Sequence, residues 1–364
     1  MRPNVLIDAT PLTSAHGARG IGAYLRGLLA GFASLPSEDR PELLVSRADR
    51  RHPGFQVQAF QEPPWPGDRV SNPLLRRVTA RRAARFPGVF HATQPHAMPR
   101  VSRLIVTCFD LIPLRMPDDY LAGARRRHER KTMADLVEGL QRAEFVIVPS
   151  LETADDVSLL AGVRPSRVRV VPGAVPPSAA PTGPVPDRPY VLFGGGVEPH
   201  KNAGLVIEAL ARTPRDLGLV LTGPWSPGRG DLLQRHAAAL GVADRVEFAG
   251  YVPAGRLAAL RQGARAVLIP SKIEGFGLPM LEAMADGVPV LAADVPALRE
   301  VGGSAAEYLS PDDPQPWAAW MASLTELGVE RDTMGSAGRA RAAEFSWTQT
   351  ARMTRDVYRE AAGG

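Results

Sequence analysis

The strongest constraint on this chain is an alternation that runs, breaks off and starts again. Short runs rich in Val, Ile, Leu and Phe are separated by longer segments whose apolar residues recur at i, i+3 and i+4 spacing. In the first part the strand-like runs are 5–8, 43–46, 55–60, 89–92, 104–108, 145–149 and 168–171, with helix-like segments such as 21–33 and 131–143 between them. The stretch 172–189, PGAVPPSAAPTGPVPDRP, then interrupts the pattern. It is Pro-rich, nearly uncharged and aperiodic, as a linker is. The alternation resumes with strand-like runs at 190–193, 219–222, 246–248, 266–269, 288–292 and 307–309. Helix-like segments at 204–211, 230–240, 253–262, 278–286 and 346–362 accompany them. Near-continuous apolar strands separated by helices point to parallel sheets covered on both faces. The expected fold class is therefore α/β, with two doubly wound Rossmann-like domains facing across a cleft. The expected boundaries are an N-terminal domain at 1–172, the linker at 173–189 and a C-terminal domain at 190–345. A last helix at 346–364 is expected to pack back on the first domain. Ligands of such sheets bind beyond the C-terminal ends of the strands.

Composition agrees with this architecture and removes several alternatives. A length of 364 residues supports two cores, and 45% hydrophobic with 22% charged residues excludes wholesale disorder. A single cysteine, Cys108, excludes an internal disulfide and a cysteine-based zinc site. Asp8 interrupts the first apolar stretch, so no secretory leader is expected, and no run approaches the roughly 18 apolar residues of a membrane span. A cytoplasmic protein is the default expectation. Lysine is scarce: Lys131, Lys201 and Lys272 are the only three among 43 basic residues.

The densest chemical signal is PSKIEGFGLPMLEAMADGVP at 270–289. A buried strand ends at Pro270, a glycine-containing loop Glu274-Gly275-Phe276-Gly277 follows, and a helix opens at Leu278-Pro279. Proline in a first helical turn costs no hydrogen bond. Gly275 and Gly277 allow positive φ and a close approach of backbone to a ligand. The free N–H groups of the helix start form a site for oxygen acceptors. Glu274 and Glu282 stand eight residues apart. Along an unbroken helix that is about 12 Å, beyond the ~5 Å carboxylate pair of a retaining glycosidase.

This block resembles the Glu-x7-Glu signature of glycosyltransferase family 4, whose members are retaining GT-B enzymes that use nucleotide sugars. The resemblance extends over nearly the whole chain. DATPLTSAHGARGIGAYLRGLL is similar to the family's first strand, glycine loop and helix, and TCFDLIPLRMPDDY to its HD-L-x-P segment. VEPHKN is similar to the EPRKN motif of a subgroup, and AGYVP, DGVPVLAADVPALREV and YLSPDDP to further landmarks. The resemblance implies that Glu274 binds donor-sugar hydroxyls, with Gly275 in the donor site beside it, that backbone N–H groups of Phe276, Gly277 and Leu278 hold other sugar oxygens, and that Glu282 binds the ribose. Carboxylates suit the task because they accept two bonds from adjacent hydroxyls. Tyr251 and Val252 of AGYVP are included in the donor site.

FGGGVEPHKN at 193–202 ends a strand in three glycines and continues to a lysine. The resemblance assigns Lys201, with Gly195 and Gly196, to the donor diphosphate, where a fixed charge neutralises the leaving group. Asn202 reads as a helix N-cap. The sequence departs from the family here: the usual arginine before the lysine is His200, and the upstream arginine of many members falls at Gly195. His200 when protonated, Lys272 or an N-terminal arginine are the expected substitutes. The loop Gly17-Ala18-Arg19-Gly20-Ile21-Gly22 lacks the dinucleotide pattern, so NAD is not expected; the resemblance places Gly20 and Gly22 toward diphosphate and acceptor. A second departure is Phe109, where the family has a histidine that touches the donor sugar. Phe109 keeps a backbone carbonyl near the reacting carbon, and its ring is expected to pack on a less polar sugar or to narrow the pocket. Asp110 is expected to orient loops or the acceptor, or to cap. His91 is read as structural, with His96 nearby.

The resemblance implies transfer of a sugar from a nucleotide-diphosphate sugar to an acceptor hydroxyl of a saccharide, lipid-linked or small molecule, on the front face. No cofactor and no obligatory metal are expected. Arginines at 76–77, 81–85 and 125–130 with Lys131 suggest peripheral contact with anionic membrane at the inner face. Nucleic acid is not expected, since no stacking platform accompanies the charge. The alternatives are a catalytically silent family member that partners an active transferase, motivated by Phe109 and His200, and a GT-B sugar-nucleotide epimerase.

Overall fold

The structure is a computed structural model describing residues 4–13, 20–46, 52–60, 73–93, 98–123, 126–225, 228–324 and 329–363. Gly17, Ala18, Arg19, His96 and Arg125 lie outside these residues. The chain divides into two compact units, Met1–Pro176 with Phe345–Gly364, and Pro177–Glu344.

The first unit contains β1 (Val5–Asp8), β2 (Glu42–Ser46), β3 (Val57–Phe60), β4 (Val89–Ala92), β5 (Leu104–Thr107), β6 (Phe145–Val148) and β7 (Val168–Val170). They form one sheet in the order β3-β2-β1-β4-β5-β6-β7, parallel throughout. The order reverses between β1 and β4, which is the Rossmann switch point. Because side chains alternate between two covered faces, these strands are mostly apolar, with exceptions such as Asp8, His91 and Arg169. Val5, Ile7, Leu43, Val45, Ile105 and Ile147 feed one buried layer. Leu6, Leu44, Phe90, Val106, Val146 and Val148 feed the layer on the other face.

The second unit contains β8 (Tyr190–Phe193), β9 (Gly218–Thr222), β10 (Val246–Gly250), β11 (Val267–Ile269), β12 (Val290–Ala293) and β13 (Glu307–Leu309). Their order, β10-β9-β8-β11-β12-β13, is again all parallel with the reversal at β8. Each unit is thus a doubly wound Rossmann-like sheet, and two of them in one chain make a GT-B fold.

The helix Trp347–Gly363 belongs to the first unit and packs on the helix Gly20–Ala33. Trp347 is seated edge-on to Tyr24 at 5.3 Å between centroids, and its Nε1 donates to the Val175 carbonyl at 2.9 Å. Tyr358 stacks on Phe32 at 5.9 Å. The Tyr358 hydroxyl lies 2.7 Å from His91 Nδ1, and Thr107 Oγ1 lies 2.7 Å from His91 Nε2. His91 is fully buried, and burial pushes its imidazole down to about 3, so it remains neutral. That makes it a cross-brace from the sheet to the last helix rather than a ligand or a proton carrier. Arg355 and Arg359 close the far end of the helix on Asp39, at 3.0 and 2.8 Å.

Two glycines make the close helix approach possible. A Cβ on Gly27 would stand 2.0 Å from the Trp347 ring, and one on Gly31 would stand 2.0 Å from the Trp347 carbonyl oxygen. Overfilling a tight contact costs about 1–3 kcal/mol. Gly31→Ala is therefore expected to lose about 2 kcal/mol or more, because backbone has to yield. Gly204→Ala, whose Cβ meets nothing within 4 Å, should be neutral or stabilising. Urea denaturation of both variants checks this; equal midpoints would show that the helix contact is slack.

Candidate active site

In the second unit the residues singled out from sequence collect beyond the C-terminal ends of β8 and β11. After Phe193 the chain enters Gly194-Gly195-Gly196, with φ of +116° at Gly195 and +88° at Gly196. A Cβ on Gly196 would lie 2.9 Å from the Pro224 carbonyl oxygen, and one on Gly223 would lie 2.2 Å from Gly196 N. The loops after β8 and β9 thus pass backbone against backbone, which only glycine permits. A 3-10 turn, Pro199–Lys201, then carries the lysine.

Asn202 stands at the N-cap position of the helix Ala203–Leu210, as expected from sequence, but its side chain makes no cap hydrogen bond. It sits in the left-handed region at φ 59°, and its Nδ2 donates to the Pro270 carbonyl at 3.1 Å and to the Pro311 carbonyl at 2.7 Å. Asn tolerates that region better than most residues. Lys272 N adds a bond to the His200 carbonyl at 2.8 Å. The loop after β8 is in this way tied to the loop after β11.

The result is a short buried ion pair. Lys201 Nζ donates to Glu274 Oε1 at 2.7 Å, and Ser271 Oγ donates to the same oxygen at 2.7 Å. The two charged side chains are only 15% and 8% exposed. Burial alone would raise the Glu274 carboxyl. The positive charge of Lys201, the proximity of His200 and the two hydrogen bonds outweigh it and hold the group below its ordinary value. Glu274 is thus a fixed anion at neutral pH. A Cβ on Gly195 would be 3.8 Å from Lys201 Nζ, so the lysine runs across the glycine loop.

His200 does not supply the missing charge. Burial first, then the neighbouring Lys201, pushes its imidazole down to about 4, and it is neutral near pH 7. Lys272 Nζ forms an ion pair with Asp312 at 3.0 Å, largely exposed to solvent. The residue that sequence reading missed is Arg229, which opens the helix Arg229–Ala239 after β9. Its charge also depresses His200, as the smallest of the influences acting on that imidazole.

Of the two glycines before the helix Leu278–Ala285, only Gly277 has positive φ, at +103°; Gly275 does not, which corrects the expectation for it. The Phe276 side chain is buried. Glu282 accepts from Arg261 Nη1 at 2.8 Å, and Asp286 accepts from Arg261 Nε at 2.6 Å. Tyr251 is 66% exposed, just past the irregular end of β10 where the pairing register shifts. Val252 follows it, half-buried.

In the first unit Gly20 is exposed and opens the helix Gly20–Ala33, and Gly22 is buried. The ring of Phe109 is not a free pocket wall. It packs edge-on to Tyr24 at 5.0 Å and joins the core layer of that helix. Asp110 is exposed, and its Oδ1 accepts from the N–H of Ile112, the first residue of the short helix Ile112–Arg115, at 3.2 Å. Cys108 is buried, which raises its thiol and leaves it unreactive. Several of the basic residues at 126–131 are engaged: Arg126 with Glu129, Lys131 with Asp135, and Arg130 with the carbonyls of Leu121 and Gly123. Among the described residues no helix is long and apolar enough to cross a membrane.

Two Rossmann-like units, with a glycine loop and a buried Lys–Glu pair at the strand ends of the second, define a GT-B protein. Two family descriptions tile the chain: Glycosyltransferase Family 4 over residues 18–179 and Glycosyl transferases group 1 over residues 178–341. The chain belongs to the family-4 type of glycosyltransferases. It is similar to a D-inositol 3-phosphate glycosyltransferase of Xylanimonas cellulosilytica, 32% identical over 60% of this chain and 57% of that protein. It is also similar to the O-antigen chain mannosyltransferase B of Escherichia coli, 27% identical over 74% of each. The aligned part therefore spans little more than half of the first relative. In fold it is similar to Anabaena HepE in complex with UDP and glucose, with a TM-score of 0.73 and 18% identity, covering 98% of this chain and 100% of the other. The sucrose-phosphate synthase of Thermosynechococcus elongatus gives a TM-score of 0.76 and 20% identity, over 99% of both chains.

The ion pair makes a sign-specific prediction. With Lys201 gone, burial dominates at Glu274 and its carboxyl rises above the unfolded value. Stability is then present at low pH and lost as pH rises through the raised value. Lys201→Ala is expected to cost about 3 kcal/mol at about pH 8 and clearly less at about pH 5, where Glu274 takes up a proton. Denaturant melts at both pH values decide; a cost independent of pH would mean that the pair is not the buried charge balance described.

Proposed function

We propose that this protein is a retaining glycosyltransferase that moves a sugar from a nucleotide-diphosphate sugar to an acceptor hydroxyl without an obligatory metal. The observation that carries the reading is the Lys201–Glu274 pair beside the glycine loop at the strand ends of the second unit. Lys201 has three N–H donors and gives one to Glu274, so the others are available to the diphosphate. Arg229 supplies a second positive charge, in place of the arginines that the family carries at the positions of His200 and Gly195.

In the reaction the bond from the anomeric carbon to the diphosphate oxygen breaks, and a bond from that carbon to the acceptor oxygen forms on the same face. The acceptor proton passes to the departing phosphate oxygen. Lys201 stabilises the charge that grows on the diphosphate. Glu274 holds sugar hydroxyls through the carboxylate that Lys201 and Ser271 keep ionised. Glu282 holds the ribose. Acceptor recognition is assigned to the first unit. The names of the relatives support a hydroxyl-rich acceptor, a glycan or a polyol, and peripheral contact with a membrane is compatible with either.

A thermal-shift panel of UDP-, GDP-, ADP- and dTDP-sugars identifies the donor, since a ligand at 100 times its Kd stabilises by about 2.7 kcal/mol. Transfer is then assayed with that donor. Glu274→Ala and Lys201→Ala are each expected to lower kcat by about 100-fold or more, a loss like that of a transition-state donor. Both variants should still unfold cooperatively. Unchanged turnover in both variants sinks the reading, and a donor that binds wild type without any transfer points to a silent binding protein.

A further inference from the structure

Glu282 is one member of a three-residue charge cluster whose layout is asymmetric. Arg261 reaches it from the last turn of the helix Ala254–Gly263, with a side chain only 8% exposed. Its Nη1 donates to Glu282 Oε2 at 2.8 Å and its Nε donates to Asp286 Oδ2 at 2.6 Å. Glu282 and Asp286 are one turn apart, at a spacing where like charges repel unless a cation stands between them. Asp286 is used on both oxygens, because Gln262 Nε2 donates to its Oδ1 at 3.3 Å. Among the described residues Glu282 is bound on one oxygen only, and its side chain is 26% exposed against 12% for Asp286. One guanidinium between two carboxylates leaves a net negative charge on the open side of the cluster. Groups that satisfy it are O–H donors rather than anions.

We infer that Arg261 is a positioning residue for nucleotide selection: it pins one oxygen of Glu282, anchored in turn by Asp286, so that the carboxylate presents its other oxygen to the vicinal hydroxyls of a ribose. This rests on the proposed reading of Glu282 as the ribose ligand and adds the device that orients it. A carboxylate on a flexible side chain meets a diol in many rotamers. One locked by a buried guanidinium meets it in one, so less ordering is required on binding. The same lock favours the charged form of the carboxylate. Burial pushes the Glu282 carboxyl above its ordinary value and Asp286 adds to this, while Arg261 opposes both. Without Arg261 the carboxyl protonates at higher pH and loses an acceptor.

The test compares a nucleoside diphosphate with its 2′-deoxy counterpart, using whichever of UDP, GDP and ADP shifts the melting point. Wild type should prefer the ribonucleotide by about tenfold or more, the size of a hydrogen bond to a charged group. Arg261→Gln should bring the preference below about threefold, mainly by weakening the ribonucleotide, and Arg261→Lys should fall between. Donor KM should rise while kcat at saturating donor stays near wild type. The pH at which binding fails on acidification should move upward in Arg261→Gln. Removing a buried cation from between two carboxylates can prevent folding, and Arg261→Lys, which keeps the charge but not the fork, is then the variant read. Equal weakening of ribo- and deoxynucleotide, or an unchanged preference where Glu282→Gln abolishes it, overturns the role of Arg261. If Glu282→Gln itself leaves the preference intact, the ribose reading of Glu282 falls and this inference with it, so the two failures are told apart.

Discussion

The second unit is organised around one buried ion pair. Taking an ammonium and a carboxylate out of water is costly, and their attraction offsets the cost only when the geometry is short and further hydrogen bonds are made. The pair here meets both conditions, with Nζ–Oε1 at 2.7 Å and Ser271 on the same oxygen. The surrounding backbone follows from holding it. The two residues arrive on loops from β8 and β11, which are neighbours in the sheet. Asn202 clamps the first loop to Pro270 through its side chain, and Lys272 N clamps it to the second through the backbone. The glycines at 195, 196 and 223 let the β8 and β9 loops approach closely enough that no side chain fits between them.

The two glutamates of the signature are driven in opposite directions by their surroundings. Both are buried enough for desolvation to favour the neutral acid. Glu274 has a lysine to itself and a hydroxyl donor, and ends below its ordinary value. Glu282 shares one arginine with Asp286, and ends above its ordinary value. Environments that push paired carboxylates apart separate their tasks. Glu274 remains an anion across the physiological range, as suits a group next to a lysine that must face a diphosphate. Glu282 sits nearer its titration, where hydroxyls can bond to it without displacing a tight charge partner. Acidification therefore reaches the Glu282 side of the site before the Glu274 side.

The strands were legible because a parallel sheet buries both faces and writes itself as largely apolar runs; each strand lies on one of the runs read from sequence, to within a residue or two at its ends. The helix Pro73–Arg85 was not legible, because its arginines hide the apolar period, and Pro296–Gly302 is too short to show one. The Glu-x7-Glu block and Lys201 could be named from the resemblance of their motifs to glycosyltransferase family 4. What could not be read was anything that depends on contacts between distant segments. Asn202 before a helix looks like a cap, and only its positive φ and its two carbonyl partners reveal a clamp. His200 looks like a cation until its burial is known. Arg261 carries no motif, and its importance comes from facing a helix 21 residues further on.

The departures from the family pattern hang together once the backbone is seen. Gly195 stands where many members carry an arginine, and its φ of +116° lies in a region closed to side chains. A Cβ there would also meet the Lys201 side chain at 3.7 Å. In this loop conformation a side chain at Gly195 would be strained by its positive φ. His200 on the adjoining turn is neutral because Lys201 and burial both oppose a second charge there. Phe109 follows the same logic in the first unit. An imidazole would leave a polar ring beside Tyr24, whereas the phenyl ring extends the edge-to-face series from Phe109 through Tyr24 to Trp347 and joins the substituted position to the last helix. In each unit the departure is absorbed by a neighbouring contact rather than left as a gap in the site.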